Sequence, residues 1–344
     1  MFRRKRWTIK QQADFLSKLA RLLEKGYTLL HALELLKSYQ KSHTKKDITE
    51  GLQALQAGSE FHVVLKKWGF SAYVTSYIYT SERQGDFVFS LRYSSNWLFH
   101  LHNSQKRFFN MLRYPVFLLF LLFGMVYFMQ VMLFPQFDYL YQSMNHQLPP
   151  LTLFLLKLPK IIKWMLVILL LGLFSFWLFY RFYLQRLSVI KQISIWMKIP
   201  IFNQFLSLYF THQYMMQFSN LLVGGLSVYN SLEIFSAQPY SKFLSEAASD
   251  MIVCLRNGAL LSEIVESMPY FEKEAAVVIH HGQANGVVGK ELQDYCEMVF
   301  EQMEKWINQL FRIVQPLLFT FIGLGVVVIF LGMMLPIFGL MNTI

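Results

Sequence analysis

The sequence predicts an all-α membrane protein, with two homologous six-helix cytoplasmic bundles and three transmembrane helices. Three observations predict it. Charge-free apolar runs cover residues 114–134, 164–180 and 313–344. A frame of Gly85, Pro115 and Pro135 recurs as Gly286, Pro316 and Pro336, with separations of 30 and 20 residues both times. Sustained period-two alternation, which marks a half-buried strand, is missing. The second observation is an internal duplication, and a repeat sets the architecture before any single element does.

The spans come from length and charge. At about 1.5 Å rise per residue, some 20 helical residues cross a hydrocarbon core of roughly 30 Å. The chain of 344 residues is 54% hydrophobic, yet it carries 32 Lys plus Arg and 21 Asp plus Glu. That mixture predicts spans joined to sizeable water-exposed domains, not a fully embedded permease. The expected boundaries are 1–110 for the first cytoplasmic bundle, 111–134 for the first span and 135–163 for a short extracytoplasmic segment. A second span at 164–183 then leads to the second bundle at 184–312, a third span at 313–336 and an extracytoplasmic tail at 337–344.

Charge sets the orientation. Residues 1–113 carry 19 basic and 8 acidic groups, residues 135–163 carry three lysines, and residues 181–312 carry 10 basic and 12 acidic groups. The positive-inside tendency places the N-terminus and both bundles in the cytoplasm of a multi-pass plasma-membrane protein. Arg3, Arg4, Lys5 and Arg6 are followed by an amphipathic segment and not by an apolar core, so no signal peptide is expected. The basic surplus of the first bundle is read as topology plus attraction to anionic lipid headgroups. No nucleic-acid recognition fold is visible, and direct nucleic-acid binding is not expected.

Within the first bundle, Thr8 caps a helix whose apolar stripe is Phe15, Leu19, Leu22 and Leu23, and Gly26 supplies its left-handed stop. Thr28 opens a second helix carrying Leu29, Leu33 and Leu36. Further helices are expected at 47–57, 59–68, 71–83 and from Asp86 to the membrane, with Ser59, Ser71 and Asp86 as caps behind Gly58, Gly69 and Gly85. The second bundle repeats this order: Tyr214, Phe218, Leu221, Leu222 and Gly225 stand 199 positions after Phe15, Leu19, Leu22, Leu23 and Gly26. Pro115 and Pro316 fall where a bundle helix enters its span, so both copies expect the same kink there.

No catalytic constellation is present, and the protein is read as not an enzyme. His100 and His102, and the adjacent His280 and His281, lack the i, i+4 spacing of a helical metal pair. No phosphate-binding glycine loop or serine nucleophile motif appears. No cofactor or metal is expected. Cys254 and Cys296 are read as packing residues and not as a disulfide. Glu34 and Glu233 occupy matching places in otherwise apolar helix faces, either as solvated positions or as functional carboxylates. Gly325, Gly332 and Gly339, seven apart, form a stripe that lets another helix approach, or reflect only the frequency of glycine in membrane helices. A small transporter or membrane-enzyme subunit is the alternative reading. It requires ionisable groups at membrane depth, which the spans lack. A lipid-anchored DNA receptor using the basic first bundle is a third.

These residues resemble the polytopic inner-membrane platform proteins of type II secretion and type IV pilus assembly. The resemblance rests on Phe15 to Leu36 with Gly26 and Glu34, on Ser81-Glu82-Arg83-Gln84-Gly85, and on Tyr114-Pro115, Pro135-Gln136-Phe137 and Leu148-Pro149-Pro150-Leu151-Thr152. The second copy adds Gly225, Glu233, Gly282-Gln283-Ala284-Asn285-Gly286, Pro316 and Leu335-Pro336-Ile337-Phe338. Ser81 stands where that family has a first glycine, and Gln283 where it has glutamate. The short start and basic, aromatic-rich character are similar to the competence pseudopilus members of Gram-positive bacteria. The resemblance implies a non-enzymatic platform above a cytosolic hexameric ATPase that feeds pilin-like subunits from the membrane into a filament serving DNA uptake. It also implies a homo-oligomer.

Overall fold

The computed structural model describes residues 7–38, 42–83, 85–143, 150–182 and 187–341, and every regular element among them is helical. The chain divides into two compact units, Met1–Ser104 with Leu187–Trp306 and Gln105–Arg186 with Ile307–Ile344. Both bundles belong to the first unit.

The first bundle has the six expected helices: α1 (Ile9–Glu24), α2 (Leu29–Ser38), α3 (Ser42–Gln56), α4 (Phe61–Trp68), α5 (Ala72–Arg83) and the beginning of α6 (Phe87–Phe128). Thr8 closes a reciprocal box at the start of α1: the Gln11 amide donates to Thr8 Oγ1 at 3.3 Å, and the Thr8 amide donates to Gln11 Oε1 at 2.9 Å. α1 stops at Gly26, φ 87°, where the Gly26 and Tyr27 amides donate to the Leu23 and Leu22 carbonyls. This satisfies carbonyls that the helix end would leave bare, in a conformation that a Cβ penalises. α3 opens at Ser42, ahead of the expected Asp47. Asp47 is instead a buried pin: its Oδ2 accepts from Trp7 Nε1 at 2.9 Å, and its carbonyl accepts from Trp68 Nε1 at 3.0 Å. The two indoles stack at 5.4 Å, with Phe15 edge-on to both.

α6 is followed by a π-helical turn (Met129–Leu133), α7 (Phe134–Ser143) and α8 (Pro150–Phe182). The second bundle then comprises α9 (Val189–Trp196), α10 (Pro200–Val223), α11 (Val228–Ala237), α12 (Lys242–Arg256), α13 (Leu261–Ser267), α14 (Lys273–Asn285) and the start of α15 (Val288–Met341). α10 to α15 repeat α1 to α6 helix for helix, and α9 has no counterpart. Tyr214 takes the place of Phe15 at the centre of a second aromatic core, with Phe235 at 5.1 Å and Phe271 at 5.2 Å. Gly225, φ 90°, closes α10 as Gly26 closes α1. The cysteines are free, with Cys296 packed inside this core.

In the second unit, α6 and α15 pass through Pro115 and Pro316 as continuous helices. Each proline removes one amide donor, that due to the carbonyl of Met111 or of Arg312. At Pro135 the backbone responds more strongly. The proline has no amide to give the Val131 carbonyl, and the preceding turn widens so that the Phe134 amide bonds Met129 O instead. The apolar stretches of α6 and α15 pack in parallel, since partners advance together along both: Phe108 on Phe311 at 5.9 Å, Tyr114 on Phe319 at 5.8 Å, then Met129 and Phe134 against Ile329. Two helices, Phe87–Ser143 and Val288–Leu335, are long and apolar enough to cross a membrane, and their apolar windows lie almost wholly on the surface. The helical path continues through α7 to Ser143, so the expected 135–163 segment begins as helix, and α8 starts within it at Pro150. Leu148 and Pro149 lie outside the described residues, as does Gln84. Trp164, Ile168, Leu171 and Phe174 of α8 are exposed.

Candidate functional site

The most distinctive chemistry lies where the first bundle packs on the second. α5 and the first turns of α6 lie against α10 and α11. In this seam Tyr77, Phe89, Tyr93 and Trp97 of the first copy pack on the core of the second, and buried polar groups lie among them. Ser76, His212, Gln217, Asn220 and Gln238 are all buried. Ser76 Oγ lies 3.1 Å from Gln217 Oε1 and 3.1 Å from Gln238 Oε1, so its single hydroxyl proton bridges α5 to α10 and to the end of α11. The Gln238 oxygen also accepts the Tyr240 and Ser241 amides, which shapes the loop that brings Tyr240 over His62 and Tyr79.

Deeper in the seam, Tyr93 Oη bonds His212 Nε2, and the imidazole stacks on Trp97 at 5.2 Å. Complete burial lowers the His212 pKa to about 3, so the ring is neutral at physiological pH. Burial likewise pushes the Tyr73, Tyr77 and Tyr93 hydroxyls well up, and they remain neutral donors. Tyr73 Oη, Tyr77 Oη, Ser94 Oγ, His212 Nδ1 and Asn220 Oδ1 are buried with no hydrogen-bond partner among the described residues. Each such group weakens the contact.

Glu82 has a specific task at the edge of this seam. Its Oε1 accepts the Phe61 amide at 2.7 Å, and its Oε2 accepts the His62 amide at 3.1 Å and meets His62 Nδ1 at 2.7 Å. The carboxylate of α5 thus caps α4 from outside, where bare amides and the helix dipole favour negative charge. This corrects the expectation that Ser59 caps that helix: Glu60 is the boundary residue and makes no side-chain cap. In the second copy the start of α13 is met differently: Glu263, within the helix, accepts the amide of the boundary residue Leu260 at 3.1 Å. Gln283, at the position of Glu82, is exposed.

The other motif residues separate by role. Gly286 is the left-handed stop of α14, φ 73°, like Gly26 and Gly225 in α1 and α10. Gly85, its repeat partner, has no such φ and serves close approach. A Cβ on Gly224 would stand 3.0 Å from the Gly85 Cα, and one on Gly85 would stand 3.3 Å from Asn220 Nδ2. Gly85 and the end of α10 are therefore brought together at the seam, while Glu82 turns to α4. Glu34 and Glu233 are not: both are exposed, on α2 and α11. Pro115, Pro135, Pro316 and Pro336 lie in the helices of the second unit. Sequence reasoning missed the seam itself. Among the described residues no three His, Cys, Asp or Glu side chains converge as a metal set.

The family model for the type II secretion system (T2SS) protein F matches the chain twice, over residues 15–135 and 214–336. The chain belongs to this family. Both matches begin at the central aromatic residues, Phe15 and Tyr214, and end at Pro135 and Pro336, so the family domain and the structural repeat are the same unit. Among similar proteins, ComG operon protein 2 of Bacillus subtilis (strain 168) is 28% identical over 317 residues, covering 92% of this chain and 98% of that one. Its homolog in Halalkalibacterium halodurans is 27% identical over 94% of this chain and 100% of its own. The type IV pilus assembly protein PilC of Thermus thermophilus is 22% identical over 98% of this chain and 84% of its own. The competence-type resemblance and the duplicated all-helical fold agree with these findings.

Proposed function

We propose that this protein is the membrane assembly platform of a type II secretion or type IV pilus-like machine, of the competence type. In this reading the two bundles engage a cytosolic secretion-type ATPase, and the apolar helices guide pilin-like subunits into a filament that serves DNA uptake. The observation that carries it is the pair of long helices. α6 and α15 each begin as the sixth helix of a family domain and continue without interruption into an apolar, exposed stretch. In this reading a load on either bundle passes along its own helix toward the apolar stretch.

The same reading takes α8 as a third span. It puts the N-terminus and both bundles in the cytoplasm, in accord with the charge distribution. It assigns the protein no chemistry of its own, with the energy coming from the ATPase. Co-purification tests it. Full-length protein in detergent, with photo-crosslinkers on the exposed faces of both bundles, is expected to capture the cognate ATPase. Crosslinkers in the apolar part of α6 or α15 are expected to capture a pilin-like subunit. Failure of both captures overturns the proposal.

A further inference from the structure

The two copies are joined asymmetrically. α5 of the first copy lies on α10 of the second through Ser76 and Gln217, yet the equivalent α14 does not lie on α1. The consequence is visible residue by residue. Ser76 is fully buried, whereas its repeat partner Val277 is 69% exposed. Gln217 and Asn220 are buried, whereas their partners Lys18 and Arg21 are exposed. Such a head-to-tail joint uses one surface of each copy and leaves the complementary surface of each copy free.

The two free surfaces complement one another. On the second copy, α13 and α14 enclose a groove of about 510 Å³, lined by exposed Leu260 and Val277, with three carboxylates, Glu263, Glu266 and Glu274, against one lysine, Lys273, and His280. On the first copy, Lys10, Asp14, Lys18, Arg21 and Lys25 follow at spacings of 4, 4, 3 and 4 and so form one stripe of α1, in which all four basic residues are exposed. In α10 and its cap the corresponding positions are Tyr209, Gln213, Gln217, Asn220 and Gly224, of which Tyr209 meets Trp97, Gln217 meets Ser76, and Asn220 and Gly224 meet Gly85. Charge has changed with partner. Lys66, whose ammonium lies 4.9 Å above the Tyr240 ring inside the chain, corresponds to Glu266 in the groove.

We propose that a second copy of this chain is the occupant: the α13–α14 groove of one molecule docks on the basic α1 stripe of the next, reproducing between chains the joint that α5 and α10 make within one. Such a contact is heterologous, so it closes into a ring or continues as an open chain. It predicts its own register. The Ser76–Gln217 pair within the chain becomes Val277 against Lys18 of the neighbour.

Cysteine crosslinking of full-length protein in detergent micelles tests this, in a Cys254→Ser background. The chain carrying both Lys18→Cys and Val277→Cys is expected to oxidise to a ladder of covalent dimers and larger species. Mixing the two single variants is expected to give dimer only, and each single variant alone to stay monomeric. Raising salt from about 0.05 M to about 0.5 M before oxidation is expected to thin the ladder, since exposed charges are screened over this range. Glu266→Lys with Glu274→Lys is expected to abolish it, and adding Lys18→Glu and Arg21→Glu on separately tagged chains without the crosslinking pair is expected to restore co-purification. Absence of the ladder, or self-crosslinking of the Val277→Cys chain alone, overturns the proposal, the latter because it reports a two-fold contact.

Discussion

Glu82 reaches across from α5 to the first turn of α4 and holds the Phe61 amide at 2.7 Å. Removing it strands two amides and the buried His62 ring, which is more than an ordinary cap supports. Glu82→Ala is expected to destabilise the first bundle by about 1–3 kcal/mol, within the range for caps and charge-assisted bonds. Glu82→Gln is expected to cost less, because one amide can still be met. Gln283→Ala, at the matching exposed site, is expected to change little. Denaturant unfolding of the full-length protein, followed by Trp fluorescence, checks the order.

Glycines of the same motif are required for different reasons, and substitutions separate them. At Gly26 an added Cβ meets nothing within 4 Å, but φ is 87°, so the cost is conformational. Gly26→Asn is expected to be tolerated better than Gly26→Val, by about 1 kcal/mol or more, since asparagine enters the left-handed region with less strain. At Gly224 φ is −69°, and the obstacle is the Gly85 backbone at 3.0 Å. Gly224→Ala is expected to cost about 1–3 kcal/mol by overpacking. Gly224→Asn is expected to be worse than Ala there, the reverse of the preference at Gly26.

His212 makes the seam sensitive to acid. Its folded pKa of about 3 lies below the value of about 6.5 for an unperturbed histidine. Between these values the unfolded chain binds the extra proton. The stability from a neutral buried ring is therefore complete above about pH 6.5 and is lost as pH falls toward 3, by at most about 1.4 kcal/mol per pH unit. His212→Gln keeps an acceptor for Tyr93 and removes the titration. Unfolding midpoints at pH 7 and pH 5 are expected to differ less for this variant than for the wild type.

Much of the fold was legible because duplication doubles every local signal. Thr8, Gly26 and the Phe15 stripe announce α1, and Tyr214 to Gly225 say the same of α10. What could not be read depends on contacts between distant helices. Glu82 looks like a surface charge before an interrupted helix until α5 returns past α4. Glu34 and Glu233, paired by position and set among leucines, proved to be solvated. The seam did leave a trace: Lys18, Arg21 and Lys25 in one copy stand against Gln217, Asn220 and Gly224 in the other. Loss of charge along one stripe of a repeated helix is what burial of only one copy requires, because an unpaired charge cannot be buried cheaply.

Of the glycine stripe on α15, Gly325 has a definite neighbour. An added Cβ there would come within 2.8 Å of Leu122 Cδ1 on α6, whereas one at Gly323, two residues away, meets nothing within 4 Å. Small residues matter between membrane helices because packing, not water exclusion, holds such helices together. Gly325→Val is therefore expected to loosen the α6–α15 pair, and Gly323→Val is expected to leave it unchanged. The obstacle at Gly325 is the end of a side chain, so shortening that side chain relieves it. The double variant Gly325→Val with Leu122→Ala is expected to recover most of the loss, giving a coupling energy on the order of 1 kcal/mol in a double-mutant cycle. Thermal unfolding of the detergent-solubilised protein, measured for all four members of the cycle, supplies the comparison. Additive effects of the two substitutions would show that Leu122 and Gly325 do not meet.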